Sequence, residues 1–170
     1  MIGRGLGAVI VVVGVDQLSK ILVLKGFGEA QCVQQPGVPV TQFFEFVLTC
    51  NRGMSFGLFN TGSGLSSPIF ISAAVIVVGM LFFWLYRAHT QLLSTAIGMI
   101  IGGAIGNLID RSWGSHGVID FLYFHLGSWY WPAFNAADSA ICSGVFLMVL
   151  EGLLTRRGSS SATTRDDPLP

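Results

Sequence analysis

The chain has 170 residues, 52% of them hydrophobic and only 11% charged, with a mean hydropathy of +0.67. A soluble domain carries about 25% charged residues, so the composition excludes an ordinary soluble globule and reads as a polytopic membrane protein in a single domain. Nine basic and nine acidic residues cancel, which removes the electrostatic footprint of a nucleic-acid binder.

In chain order, the first apolar run extends from about Gly5 to Leu24. Crossing the hydrocarbon core takes about 20 residues, and this run just suffices. No small-x-small cleavage site follows Val15, so the segment is expected to stay as a permanent span and not to leave as a signal peptide. A lipoprotein-type cleavage site at Cys32 also fails, because Glu29, Ala30 and Gln31 precede it. Asp16 and Lys20 stand four residues apart and share one helix face. They read either as a self-neutralising pair near the outer interface or as a support for a site above them. Ser19 and Lys20 are adjacent and point about 100° apart, which discounts a Ser–Lys hydrolase.

Lys25 to Ser67 is a polar connection, and within it Thr41–Cys50 is rich in aromatic and branched residues. A small strand pair or sheet on the membrane surface is expected there, with Gly53 and Gly57 allowing tight turns. Asn51 and Arg52 fall at its tip. The stretch is either an ordinary amphipathic loop or a cradle in which Asn51 hydrogen-bonds an extended peptide. Cys32 and Cys50 share this connection, and the odd total of three cysteines leaves a disulfide between them open. Cys142 falls in an apolar run and is expected to pack.

The second span, Pro68 to Tyr86, has no charge, and Trp84 and Tyr86 are placed as interfacial anchors. A short turn with Arg87, His89 and Gln91 follows, His89 being expected in solvent. The third span, about Leu92 to Ile109, carries a stripe of Gly98, Gly102 and Gly106 that lets a neighbouring helix approach closely. Asn107, Asp110 and Arg111 gather at its end. Ser112 to Phe134 reads as an aromatic loop lying on the headgroups, and it carries Asp120. The fourth span, about Ala136 to Leu154, opens on Asn135 and Asp138, and Glu151 near its end is expected to reach the interface. Residues 156–170 are expected to form a disordered cytoplasmic tail.

The expected architecture is therefore an all-α membrane bundle of four transmembrane helices with a small extracytoplasmic β-rich cradle and loop. Its spans are about 5–24, 68–86, 92–109 and 136–154, within a domain of residues 1–155. Arg4, Arg87, Arg156, Arg157 and Arg165 fall on one side, against Lys25, Arg52 and Arg111 on the other, which favours cytoplasmic termini. The acidic cluster then lies near the outer leaflet.

An Asp at mid-membrane costs about 2.5–3.5 kcal/mol on insertion scales, so acids at the mouths of apolar spans mark function. Peptide hydrolysis without a covalent nucleophile needs a base for water and an acid for the leaving amine, and Asp120 with Asp138 can supply both. Two close carboxylates in a poorly hydrated site share a proton and titrate as a pair. Asp110 and Arg111 read as a structural pair. Asn107 and Asn135 could orient Asp120 or hold substrate backbone. His89, His116 and His125 lack zinc-ligand spacing, so no metal or other cofactor is expected. Ser115–His116 has no orienting acid in register.

DQLSK (Asp16–Lys20), NRGMSFG (Asn51–Gly57), GGAIGNLIDR (Gly102–Arg111), VIDF (Val118–Phe121) and PAFNAAD (Pro132–Asp138) resemble, in order, the motif blocks of lipoprotein signal peptidase, or signal peptidase II. The resemblance implies a bacterial inner-membrane aspartyl endopeptidase, monomeric and in contact with membrane lipid, that cleaves a prolipoprotein just before its diacylglyceryl-modified cysteine. It implies Asp120 and Asp138 as the catalytic acids. Supporting positions map to Asp16, Lys20, Asn51, Gly53, Asn107, Asp110, Arg111 and Asn135. Two other classes explain less. A small proton- or ion-coupled carrier would show inverted repeats and broken helices at mid-bilayer. An assembly protein docking on the glycine stripe leaves both acids unexplained.

Overall fold

The computed structural model describes residues 1–28, 36–51, 66–113 and 117–162. Its elements in chain order are α1 (Ile2–Gly26), β1 (Val38–Thr41), β2 (Phe44–Asn51), α2 (Ser66–Tyr86), α3 (Gln91–Trp113), β3 (Val118–Leu126), β4 (Trp129–Phe134) and α4 (Ala136–Ala162). Helix α3 is the axis of the bundle: α1, α2 and α4 all pack against it, and α1 also touches α4.

The glycine stripe explains how α1 comes so close. A Cβ at Gly98 would meet the backbone of Gly5, one at Gly102 would lie 2.8 Å from Val12 Cβ, and one at Gly106 would meet the Asp16 carboxylate. The two helices thus run side by side in the same direction, and the buried residues of α1 are Gly5, Val9, Asp16 and Lys20. On the flank facing α4, a Cβ at Gly103 would strike the Ala137 carbonyl, and Gly144 of α4 sits against Ala96 and Ile100. Small residues let backbones approach where no hydrophobic drive pulls helices together. The apolar core at the other end gathers Val9, Leu85, Leu93, Ile97 and Ile101.

Three helical stretches are long and apolar enough to cross a membrane: Ile2–Gly26, Gln91–Ser112 and Ala136–Thr155. Helix α2 contributes a shorter apolar segment, Ile71–Tyr86, among the described residues. The backbone of α4 stays helical through Ala162, so the helix continues into the stretch expected to be a disordered tail. The outer faces of α1, α2 and α4 are lined by exposed Ile10, Leu22, Val75, Met80, Phe83, Phe146 and Leu153, as lipid-facing surfaces require. Cys142, expected to pack, is exposed on α4. Glu151, expected to reach the interface, is buried and accepts from Thr90 Oγ1 at 3.0 Å, with His89 Nε2 at 3.7 Å.

A four-stranded antiparallel sheet in the order β1-β2-β3-β4 caps one end of the bundle. The stretch Thr41–Cys50, expected to hold a strand pair or sheet, is mostly the single strand β2, whose partner β1 lies before it and ends at Thr41, and the aromatic segment expected to be a loop is a second hairpin, β3–β4. Leu126 pairs with Trp129, leaving a two-residue turn in which Gly127 takes φ +59°, the left-handed region such hairpins need. Phe44, Phe124 and Phe134 form an aromatic file across β2, β3 and β4, with centroids 4.8 and 5.9 Å apart. Cys50 of β2 is disulfide-bonded; Cys32 lies outside the described residues.

Candidate active site

The polar residues of α1, α3, β3 and α4 converge where the sheet meets the bundle. The start of α4 shows how local sequence builds the site. Asn135 precedes the helix and Asp138 is three residues on, and the two make a reciprocal cap. Asp138 N–H donates to Asn135 Oδ1 at 3.0 Å, and Asn135 N–H donates to Asp138 Oδ2 at 3.2 Å. This is a capping box written with Asn and Asp. A third free N–H of that first turn, on Ala137, donates to Asp16 Oδ1 of α1 at 2.9 Å. Helix α4 therefore begins on two carboxylates from different parts of the chain, both favoured by the positive end of its dipole.

Asp120 comes from β3, where it pairs in register with Thr49 of β2. Its side chain is 3% exposed. Asn135 Nδ2 donates to Asp120 Oδ1 at 2.8 Å and Asn51 Nδ2 to Oδ2 at 3.3 Å. Asn135 thus touches both acids, its side chain on Asp120 and its backbone N–H on Asp138. Asp120 is pushed up to about 7, first by burial and then by the charge of Asp138, against the opposing hydrogen bonds of Asn51 and Asn135 and the charge of Lys20. A carboxyl so placed holds a proton near neutral pH.

Beneath the two acids is a charged layer. Lys20 Nζ stands 2.7 Å from Asp16 Oδ2, 2.6 Å from Asp110 Oδ2 and 3.3 Å from Asn107 Oδ1. The spacing of Asp16 and Lys20 does produce an ion pair, but both side chains are enclosed by protein, so the picture of a pair tolerated in lipid gives way to a buried triad with Asp110. The structure gives Asp110 an ion partner in Lys20 at 2.6 Å, where the sequence reading had paired it with Arg111, whose charge also acts on Asp110. Arg111 Nη1 donates to the Asn107 carbonyl at 3.3 Å. Asn107 closes the connection upward, donating from Nδ2 to Asp138 Oδ1 at 2.9 Å. No buried side-chain nitrogen or oxygen lacks a partner among the described residues.

Of the residues singled out from sequence, Asp16, Lys20, Asn51, Asn107, Asp110, Arg111, Asp120, Asn135 and Asp138 belong to this one region. Gly53 lies outside the described residues, as do Arg52 and Gly57. One participant escaped the sequence reading. Gln17 Nε2 donates to Asp110 Oδ1 at 3.0 Å, Asp16 Oδ2 at 3.1 Å and Gly106 O at 3.2 Å. Its signal was a long amide beside Asp16 inside an otherwise apolar run.

Comparison with known proteins fits this arrangement. A sequence model described as signal peptidase (SPase) II matches residues 8–154. The chain is 45% identical over 155 residues to a lipoprotein signal peptidase of Burkholderia cenocepacia strain J2315, covering 91% of this chain and 90% of that protein. It is 46% identical over 156 residues to the lipoprotein signal peptidase of Burkholderia ambifaria strain MC40-6, with the same coverage. In fold it is similar to a bacterial membrane enzyme solved in meso at 2.3 Å resolution, with TM-score 0.74, 23% identity and coverage of 100% of this chain and 96% of that one. A second bacterial membrane enzyme, solved in meso at 1.9 Å, superposes with TM-score 0.70 at 24% identity, covering 90% of this chain and 94% of that one. The chain belongs to the signal peptidase II family, a family of aspartic-type proteases of bacterial membranes.

Proposed function

We propose that the protein is an intramembrane aspartyl endopeptidase that removes the signal peptide from diacylglyceryl-modified prolipoproteins, cutting just before the lipidated cysteine. The observation that carries the reading is the frame around Asp120 and Asp138: two carboxyls on different elements, each touched by Asn135, over a buried charge network. One carboxylate takes a proton from water. The other, protonated, polarises the scissile carbonyl, and the leaving amine receives a proton as the bond breaks. Water attacks directly and no covalent intermediate forms.

In this reading α2 is a fourth span, since its 21 residues measure about 31 Å, close to the thickness of the hydrocarbon core. The residues form a single peptidase domain to about 155. Both termini face the cytoplasm, in the bacterial inner membrane, and the site lies near the outer leaflet. The sheet then rests on the headgroups, with exposed Trp129, Tyr130 and Trp131 supplying the amphipathic rings that favour that depth. At that depth the acyl chains of a lipidated cysteine lie in the leaflet while the peptide bond reaches the acids, with Asn51 beside Asp120 on the peptide side. The protein works as a monomer among membrane lipids.

Mass spectrometry of the products tests the reading. Purified protein in micelles is given a diacylglyceryl-modified prolipoprotein, and the new N-terminus is read. A mature chain beginning at the lipidated cysteine is the expected result; a cut elsewhere, or equal cleavage of the unlipidated precursor, refutes it.

A further inference from the structure

The two acids are held by different frames, and one frame leads back to a cation. Asn107 accepts at Oδ1 from Lys20 Nζ at 3.3 Å and from Asn135 Nδ2 at 3.2 Å, and donates from Nδ2 to Asp138 Oδ1 at 2.9 Å. With Asp16 at 2.7 Å and Asp110 at 2.6 Å, the three hydrogens of Lys20 have three acceptors. An ammonium cannot accept a hydrogen bond. Turning the Asn107 amide over would press its NH2 against Lys20 and the Asn135 NH2, and its carbonyl against Asp138. Lys20 therefore admits one orientation of Asn107, and that orientation offers an N–H to Asp138. The other oxygen of Asp138 takes the Asn135 backbone N–H at the mouth of α4. Asp120 also receives two donors, but they are differently placed. Asn135 Nδ2 is shared between it, Asn107 Oδ1 and the Ile119 carbonyl, and the Asn51 bond is 3.3 Å.

We infer that Lys20 is a positioning residue of the peptidase: by fixing the Asn107 amide it keeps Asp138 as the ionised base and leaves the shared proton on Asp120. The inference rests on the peptidase reading and adds the division of labour within it. Among the described residues, the charged groups around Asp138 are Asp120 on β3 and Arg111 on α3, with Lys20, Asp16 and Asp110 behind Asn107. Arg111 acts on Asp120, then Asp138, then Asp110, so its charge is not what singles out Asp138 as the ionised acid. In the reaction, water adds through oxygen to the scissile carbonyl carbon and gives one proton to Asp138. Asp120 passes its proton to the carbonyl oxygen, forming a gem-diol. The C–N bond then breaks. The amine leaves with the proton from Asp138, and Asp120 recovers one from a diol hydroxyl as the new acid's carbonyl forms. Both acids end as they began.

The test is the pH dependence of kcat/KM on a diacylglyceryl-modified prolipoprotein, for the wild type, Asn107→Ala, Lys20→Met and the double variant in micelles. The ionised base sets the low-pH limb of the profile and the protonated acid the high-pH limb. Asn107→Ala is expected to move the low-pH limb up by about one pH unit, roughly a tenfold loss on the acid side, and to leave the high-pH limb in place. Lys20→Met moves the low-pH limb the same way, and there the double variant goes no further, because both act on Asp138 through one hydrogen bond. The loss of the Lys20 charge, which opposes the proton on Asp120, also raises the high-pH limb in that variant. Lys20→Arg, which keeps a cation at Asn107 Oδ1, retains the wild-type limb. If Lys20→Met does not fold, the Lys20→Met/Asp110→Asn variant, which removes a charge of each sign, takes its place. A loss that is uniform across pH, movement of the high-pH limb in Asn107→Ala, or additive effects on the low-pH limb overturn the inference. A wild type that does not cleave, or that cleaves equally well with Asp120→Asn or Asp138→Asn, overturns the peptidase reading itself. A dyad-dependent enzyme whose low-pH limb ignores Asn107 overturns only the role of Lys20.

Discussion

Replacing Asp120 by Asn should abolish cleavage and stabilise the protein, by an amount that depends on pH. In the folded chain the Asp120 carboxyl is pushed from its ordinary 3.8 up to about 7 by burial and by Asp138. Its folded-state value lies above its unfolded one, so between pH 4 and 7 the folded state binds the proton that the unfolded chain has released. Stability from this group is therefore fully present below about pH 4 and is lost as pH rises through about 7. Three pH units at about 1.4 kcal/mol each give a loss of at most about 4 kcal/mol above neutral pH. An amide at this position has no such dependence, and its oxygen can still accept from Asn135, while its NH2 takes the place of the oxygen that met Asn51. Equilibrium unfolding by dodecyl sulfate in mixed micelles, followed by tryptophan fluorescence from pH 5 to 8.5, measures the difference. The Asp120→Asn variant should be the more stable, with a gap that widens from pH 5 to 7 and then levels. A gap that does not change with pH, or a variant less stable than wild type at pH 8, would refute the reasoning.

The buried network makes other predictions. Lys20→Met leaves Asp16 and Asp110 without their cation and should destabilise by about 3–5 kcal/mol in the same unfolding assay, with partial recovery on adding Asp110→Asn. Asp138→Ala removes the acceptors for both the Asn135 N–H and Asn107 Nδ2 and should lower stability by about 1–3 kcal/mol, whereas Asp138→Asn keeps one acceptor and should lose activity with a smaller change in unfolding. Gly106→Ala drives a Cβ into the Asp16 carboxylate and should reduce the yield of folded protein. Gly79→Ala, with nothing within 4 Å of its Cβ, should be neutral or stabilising by up to about 1 kcal/mol.

Much of this was legible in the sequence because it rests on short-range periodicity. Four apolar runs gave the four helices, and glycines repeating every four residues gave a close-packed face, which proves to be the seat of α1. Asp16 and Lys20 announced their ion pair by spacing alone. Asp110 could not be assigned that way. Its neighbour Arg111 lies about 100° around the helix, and Lys20 reaches it only because α1 packs beside α3. Strands β3 and β4 were hidden by composition. Tyr, Trp and Phe favour both a strand and a membrane interface, and the latter reading made the segment a loop. The signal that could have found the hairpin was Gly127–Ser128 between two aromatic runs. The Asn135–Asp138 cap was equally open to inspection, since an Asn three residues before an acid at the start of an apolar run is a helix N-terminus. What no local pattern could reveal is that Asn135 reaches Asp120 as well, a contact made only when β3 folds against the mouth of α4.

The most direct test of the account is a gel-shift assay of cleavage by the purified wild type, Asp120→Asn and Asp138→Asn on one diacylglyceryl-modified prolipoprotein, with and without a chelator. The account predicts loss of the signal peptide by the wild type in both conditions and by neither variant. Cleavage undiminished in either variant, or none by a well-folded wild type, would contradict it.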